Sequence, residues 1–252
     1  MMILYTNLEV PMNLTTASLV HHFTKLVTKN VENVLVEGDG SYVAASADNS
    51  VIISAPPLEG YTVSRSVVLF DIPLFLKIIK TMKTEGGVNL NVADNGMTME
   101  LSNGAISYTY ALGDESETGG LVNGKKMKKI LKGFTFDNTF TLTSSVIKDV
   151  LQALGTLGGE KVLLAKSEDG LNILLGSKLM HHGKISVTGD SPLHVDSLAI
   201  PSDVTQEVLK NLANNEKIIL AVDETGCNVR FSTDDDYLFY ISKCDDIAGY
   251  GA

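Results

Sequence analysis

The stretch KIIKTMKTEGGVNLNVADNGMTMEL, Lys77 to Leu101, returns later in the same chain. Shifted forward by 130 positions it lies without a gap over EVLKNLANNEKIILAVDETGCNVRF, Glu207 to Phe231. Apolar residues meet at eight pairs: Ile78/Val208, Ile79/Leu209, Met82/Leu212, Val88/Ile218, Leu90/Leu220, Val92/Val222, Met99/Val229 and Leu101/Phe231. The turn glycines also coincide, Gly96 in ADNG with Gly226 in DETG, and Lys80 falls on Lys210. Each copy reads as an amphipathic helix followed by strands around a glycine turn.

An earlier unit repeats at a slightly smaller shift. ASLVHHFTKLV (Ala17 to Val27) resembles SSVIKDVLQAL (Ser144 to Leu154), and each is followed by a β-type run. Asp39-Gly40 and Asp169-Gly170 mark hairpins, because glycine supplies the positive φ of a tight turn. Each half therefore reads strand, helix, strands, helix, strands, an α+β chain with four short helices among many strands. Thr15 or Thr16, Ser144 and Ser202 are candidate caps, and Pro73 and Pro201 suit helix starts. The alternating N-terminus MMILYTNLEVPMN suits a first strand; it lacks the basic region and cleavage site of a signal peptide. Gly113 to Gly133, glycine-rich and acidic then basic, reads as a linker. The expected division is 1–118, a connector over 119–133, and 134–252.

A chain of 252 residues fits two medium domains, and 44% hydrophobic residues can build a substantial core. No run approaches the ~18 consecutive apolar residues of a membrane span. Two cysteines without metal-type spacing suit a reduced, intracellular setting. With 30 acidic against 20 basic residues, the net charge of −10 argues against a protein that coats itself on nucleic acid, unless its basic residues are segregated.

They are. Placed at 100° per residue, the first helix turns Leu19, Phe23, Leu26 and Val27 inward and leaves His21 and Lys25 opposite, with Lys29 alongside. The second sets Lys77 and Lys80 against Phe75, Ile78, Ile79 and Met82. The third presents Lys148 and Gln152, opposite Val146, Ile147, Val150 and Leu154; the fourth presents Lys210 and Gln206, with Asp203 and Glu207 nearby. Solvated helix faces often carry lysines, but the same placement on all four helices of an acidic chain suggests one surface that meets a phosphate backbone.

Taken together, the repeat, the length, the central connector, the helix charge and the terminal YLFYISKCDD resemble the two-domain DNA sliding clamps. These include proliferating-cell nuclear antigen, the archaeal clamps and the T-even phage clamp. The resemblance covers nearly the whole chain. It implies two clamp domains per chain, each with two helices on antiparallel sheets, in a homotrimeric ring with helices inside. It implies no catalysis and no cofactor, an intracellular place on duplex DNA, and service by a clamp loader. DNA polymerases and other partners would be tethered through short peptide motifs.

By that resemblance Lys25, Lys29, His21, Lys77, Lys80, Lys148 and Lys210 face the DNA. A subunit seam would join AISYTYAL (Ala105 to Leu112), with Tyr108 as anchor beside Tyr110, to the run from Leu174 to Lys184, with Met180, His181 and His182. An outer partner pocket would use Ala47, Val51, Ile130, Leu131, Tyr240, Ile241 and Ser242. The connector's Lys125, Lys126, Lys128, Lys129 and Lys132 depart from the family pattern. They suggest acidic residues flanking the partner's motif, or a second DNA contact, or only a solvated linker. Readings outside replication are a clamp-like scaffold for checkpoint or late transcription, and a protein-binding module that does not encircle DNA.

Enzymatic readings are poorly served. Adjacent residues in His21-His22 and His181-His182 diverge on either a strand or a helix, so neither pair makes a bidentate metal site. Asp234-Asp235-Asp236 sits where the repeat places a hairpin turn. EGDGS lacks the spacing of a phosphate loop, and no nucleophilic triad is visible.

Overall fold

The computed structural model describes residues 14–26, 31, 33–46, 50–82, 87–113, 131–176, 181–242 and 244. The expected first strand and most of the linker lie outside these, as do Lys29, Ala47, Ile130 and Met180. The first half runs α1 (Thr16–Thr24), β1 (Asn33–Val36), β2 (Tyr42–Ala45), β3 (Val51–Ala55), β4 (Val67–Phe70), α2 (Ile72–Thr81), β5 (Asn89–Val92), β6 (Thr98–Ser102) and β7 (Ser107–Ala111). The second runs β8 (Asn138–Thr143), α3 (Ser144–Leu157), β9 (Lys161–Ser167), β10 (Gly170–Gly176), β11 (His182–Thr188), β12 (Ser197–Pro201), α4 (Ser202–Leu212), β13 (Lys217–Val222), β14 (Asn228–Ser232) and β15 (Leu238–Ser242). None of the described helices is long and apolar enough to cross a membrane.

The strands form three antiparallel sheets. Eight take the order β4-β1-β2-β3-β15-β14-β13-β8, four the order β11-β10-β9-β12, and three the order β5-β6-β7. The large sheet spans both halves, joined where Leu238, Phe239, Tyr240 and Ile241 of β15 pair with Ser54, Ile53, Ile52 and Val51 of β3. One continuous apolar core runs through both halves, with Phe23, Phe75 and Phe239 fully enclosed. Burying each such ring contributes on the order of 2–3 kcal/mol.

The internal repeat is present at the level of single hydrogen bonds. Gly96 and Gly226 both take positive φ, 71° and 65°, in equivalent turns, and donate to Ala93 O and Asp223 O at 2.8 and 2.9 Å. Gly113 N–H donates to Val68 O at 3.0 Å, and Cys244 N–H to Ala199 O at 2.8 Å, which sets these strands at an offset of 131. The extra residue sits in the β14–β15 turn, where 233–237 replaces 103–106.

The cap of α1 is one of the two expected, whereas those of α3 and α4 fall one residue earlier than expected. Thr15 caps α1, accepting from Ser18 N–H, and Thr143, not Ser144, caps α3, accepting from Val146 N–H. The two caps place the first and third helices 128 apart, not 127, and that offset superposes buried Leu19 on Ile147 and Leu26 on Leu154. Asp71 caps α2 with Pro73 in the first turn. Pro201 occupies the cap of α4 and has no polar side chain to cap with, while the expected cap, Ser202, donates its Oγ to Gly159 O. Along α2, Leu76 is buried and Ile78 half-buried, the reverse of their expected weight.

Candidate functional site

Three surfaces emerge: a helical layer, two strand edges, and a small apolar cluster on the far face of the large sheet. In the layer, α1 packs on α2 and α3 on α4. Lys25 at the end of α1 donates from Nζ to Asn211 O near the end of α4, at 3.1 Å. The helices thus follow one another as α2-α1-α4-α3.

Lys77, Lys80, Lys148 and Lys210 are exposed on this layer. Lys25 is not: it is 4% exposed, so its expected place on the open face is corrected. Its ammonium lies 5.4 Å from the centre of the Tyr237 ring. Burial pulls its pKa down and the Asp235 charge opposes that. His21 is open to solvent on one side, but its Nε2 is engaged by Asp235 Oδ2 at 3.0 Å. Burial pushes Asp235 up, but hydrogen bonds from Thr233 and His21, with the Lys25 charge, outweigh it and hold the carboxyl below its usual value.

His22 is enclosed, at 1% exposure. Its Nε2 lies 2.8 Å from Gly40 O, which can only accept, so Nε2 carries the proton. Nδ1 therefore accepts from the Tyr237 hydroxyl. Burial lowers the His22 pKa to about 4. His21 and Lys25, expected on a basic face, instead join His22 in a polar joint between the halves. Sequence periodicity missed it because its partners lie in the β14–β15 turn, which Asp234, Asp235 and Asp236 form as expected. Among the described residues no three His, Cys, Asp or Glu side chains cluster in a way that could hold a metal ion.

The strand edges are β7 and β11, at the ends of the three- and four-stranded sheets. Tyr108 is half-buried and its hydroxyl accepts from Thr81 Oγ1 at 3.1 Å. The Tyr110 side chain points into the core, against Phe75 and Phe70, which removes it as a seam side chain. His181 and His182 are exposed. The run from Leu174 to Gly176 belongs to β10, an inner strand, so the edge is β11 and reaches Thr188.

On the far face of the large sheet, Val43, Ala45, Ile52 and Leu131 form a small separate apolar cluster. Tyr240 pairs with Ile52 and so shares that face, and its ring meets Phe136 at 5.7 Å. Val51 and Ile241 are buried in the main core and do not belong to this cluster. Side chains alternate across a strand, so Ile52 and Tyr240 face outward where Val51 and Ile241 cannot. Ser242 is half-buried at the end of β15. The period-two reading of VIIS could have selected Ile52.

No protein-family model matches the chain, and no curated protein matches it in sequence. Solved structures do match. A putative DNA polymerase III beta subunit from Eubacterium rectale ATCC 33656 aligns with TM-score 0.68 at 11% identity, over 93% of this chain and 64% of that one. The PCNA2-PCNA3 complex from Sulfolobus tokodaii gives 0.65 at 14% identity, over 93% and 99%. Proliferating Cellular Nuclear Antigen from Entamoeba histolytica gives 0.68 at 12% identity, over 93% and 98%. The chain thus spans less than two thirds of the first of these structures and nearly all of the other two. At these identities the likeness establishes the fold, which is that of the sliding clamps.

Proposed function

We propose that this chain is a DNA sliding clamp, a non-enzymatic ring that encircles duplex DNA and tethers polymerases and other DNA enzymes. One observation carries the assembly. Ile106 and Tyr108 on the β7 side are the internal duplicates of Tyr237 and Phe239 on the β15 side, at the 131 offset. Ile106 is 40% exposed, whereas Tyr237 is 4% and Phe239 0% exposed. In the second half the cover is supplied by α1 and β3 of the first half. For β7 the matching cover is α3 and β11, which a second copy can offer.

Transferring the β3–β15 register by the repeat sets Ser107 opposite Lys184, Tyr108 opposite Gly183, Thr109 opposite His182 and Tyr110 opposite His181. Unpaired sheet edges are a liability that such a contact removes. A head-to-tail contact either closes or polymerises, and the two-domain clamps this chain resembles close with three copies. Lys77, Lys80, Lys148 and Lys210 would then line the hole and touch phosphates without reading bases, as a sliding contact requires. The outer face at Ile52, Leu131 and Tyr240 would take a partner's peptide, a clamp loader would open the ring, and the site of action would be DNA inside the cell.

Two measurements test the reading. Solution mass should be three times the 27.0 kDa chain. The protein should stay on a closed circular duplex through gel filtration and dissociate once the circle is linearised. A monomer, or retention independent of topology, would show a scaffold that does not encircle DNA.

A further inference from the structure

We propose that Glu100 of one copy forms an ion pair with Lys184 of the next, and that this pair sets the head-to-tail sense of the contact. The inference rests on β7 and β11 forming the seam. On β6, Met99 and Leu101 are buried in the core, so Glu100 between them faces away from the helices. Its cross-strand partner on β7 is Thr109, but its Oε1 accepts from Ser107 Oγ on the diagonal, at 2.6 Å. That bond draws the exposed carboxylate toward the open edge. On β11, Val187 is buried and Ile185 packs against the core, so Lys184 also faces away from the helices. With Ser107 opposite Lys184, the carboxylate held by Ser107 lies within reach of the lysine stem, as opposite and diagonal neighbours on one face of a sheet do.

Each edge brings one formal charge. Glu100 is the only charged residue of β6 and β7, and Lys184 the only lysine of β11, which has no acid. Among the described residues the one ion pair, His21 with Asp235, engages neither of them. The duplicated contact inside the chain lacks the pair. At the offsets of 130 and 131, Arg230, Leu238 and Ser54 take the places of Glu100, Ser107 and Lys184, and no opposite charges meet there. The charges therefore belong to the contact between copies. Two β7 edges brought together would set carboxylate near carboxylate, and two β11 edges ammonium near ammonium; only β7 against β11 is complementary. In the same register Tyr108 faces Gly183, so its ring would cover the β11 position that has no side chain.

The test follows energy transfer between donor- and acceptor-labelled copies of the full chain on dilution, at low and high salt. Glu100→Lys and Lys184→Glu should each weaken self-association about tenfold, because each loses the pair and sets like charges together. The difference from wild type should shrink as salt rises. The double variant, with both charges reversed, should associate as tightly as wild type. Single reversals that associate like wild type, or a double variant as weak as either single one, overturn the ion pair and leave the seam standing. Tighter association of Glu100→Lys with wild type than of either alone would place like edges together and overturn the head-to-tail sense. A wild type without energy transfer at any concentration overturns the seam and the inference with it.

Discussion

Nδ1 of His22 lies 2.6 Å from the hydroxyl of Tyr237, 215 residues further along the chain. The same ring donates to Gly40 O in the β1–β2 hairpin, and the Tyr42 hydroxyl donates to the His22 carbonyl at 3.0 Å. A single imidazole thus ties α1 to a hairpin of its own half and to the last turn of the other. With Lys25 to Asn211 and His21 to Asp235, it makes the joint between the halves polar inside an apolar core.

Replacing His22 by Phe should lower stability by about 1–3 kcal/mol, since Tyr237 and Gly40 are each left without a buried partner. Urea unfolding at pH 7 measures it. The folded-state pKa, lowered to about 4 from 6.5, means that the unfolded chain binds the extra proton across this window. Stability from His22 is present above pH 6.5 and declines as pH falls toward 4. Between pH 7 and 5 the wild type should therefore lose more stability than His22→Phe. Parallel pH profiles would show that His22 does not titrate this way.

Lysines on the helical layer should separate into two classes. Lys77→Glu with Lys80→Glu should weaken DNA association alike on unrelated sequences and reduce the slope of log K against log salt by ~0.9 for each phosphate that is no longer neutralised. Lys25→Met should leave that slope unchanged, because the ammonium is buried against Asn211 and Tyr237. A slope that changes with Lys25 alone would reverse the assignment.

The seam register can be read by cross-linking. In a background with Cys227 and Cys244 changed to Ser, Thr109→Cys with His182→Cys should oxidise into covalent multimers on a denaturing gel. Both positions are exposed on edge strands. Thr109→Cys with Ser186→Cys, four residues out of register, should remain monomeric. The opposite pattern would move the seam.

The neighbours Val51 and Ile52 should behave oppositely. Val51 is buried in the core, and Val51→Ala should cost about 1–3 kcal/mol in thermal unfolding while peptide binding at 25 °C is kept. Ile52→Ser should leave stability nearly unchanged and weaken binding. Equal effects in both assays would place both side chains on one surface.

The sequence by itself determined the duplication, legible as a repeat in the chain, and, through short-range periodicity, the helix–strand order and the exposed lysines Lys77, Lys80, Lys148 and Lys210. The match of Gly96 to Gly226 is visible in the chain because a tight turn demands one residue type at one place. Tertiary structure alone decided what the periodicity left open. Lys25 looked like its counterparts because helical phase tells which side a residue occupies, not what lies beyond it; the β14–β15 turn and α4 bury it. Val51 and Ile52 are chemically alike, and only the pairing of β3 with β15 determines which of them meets the core. Arg230 and Phe136 are 94 residues apart, and no spacing announces their contact, which exists because the segment after the connector folds across β14 and β15.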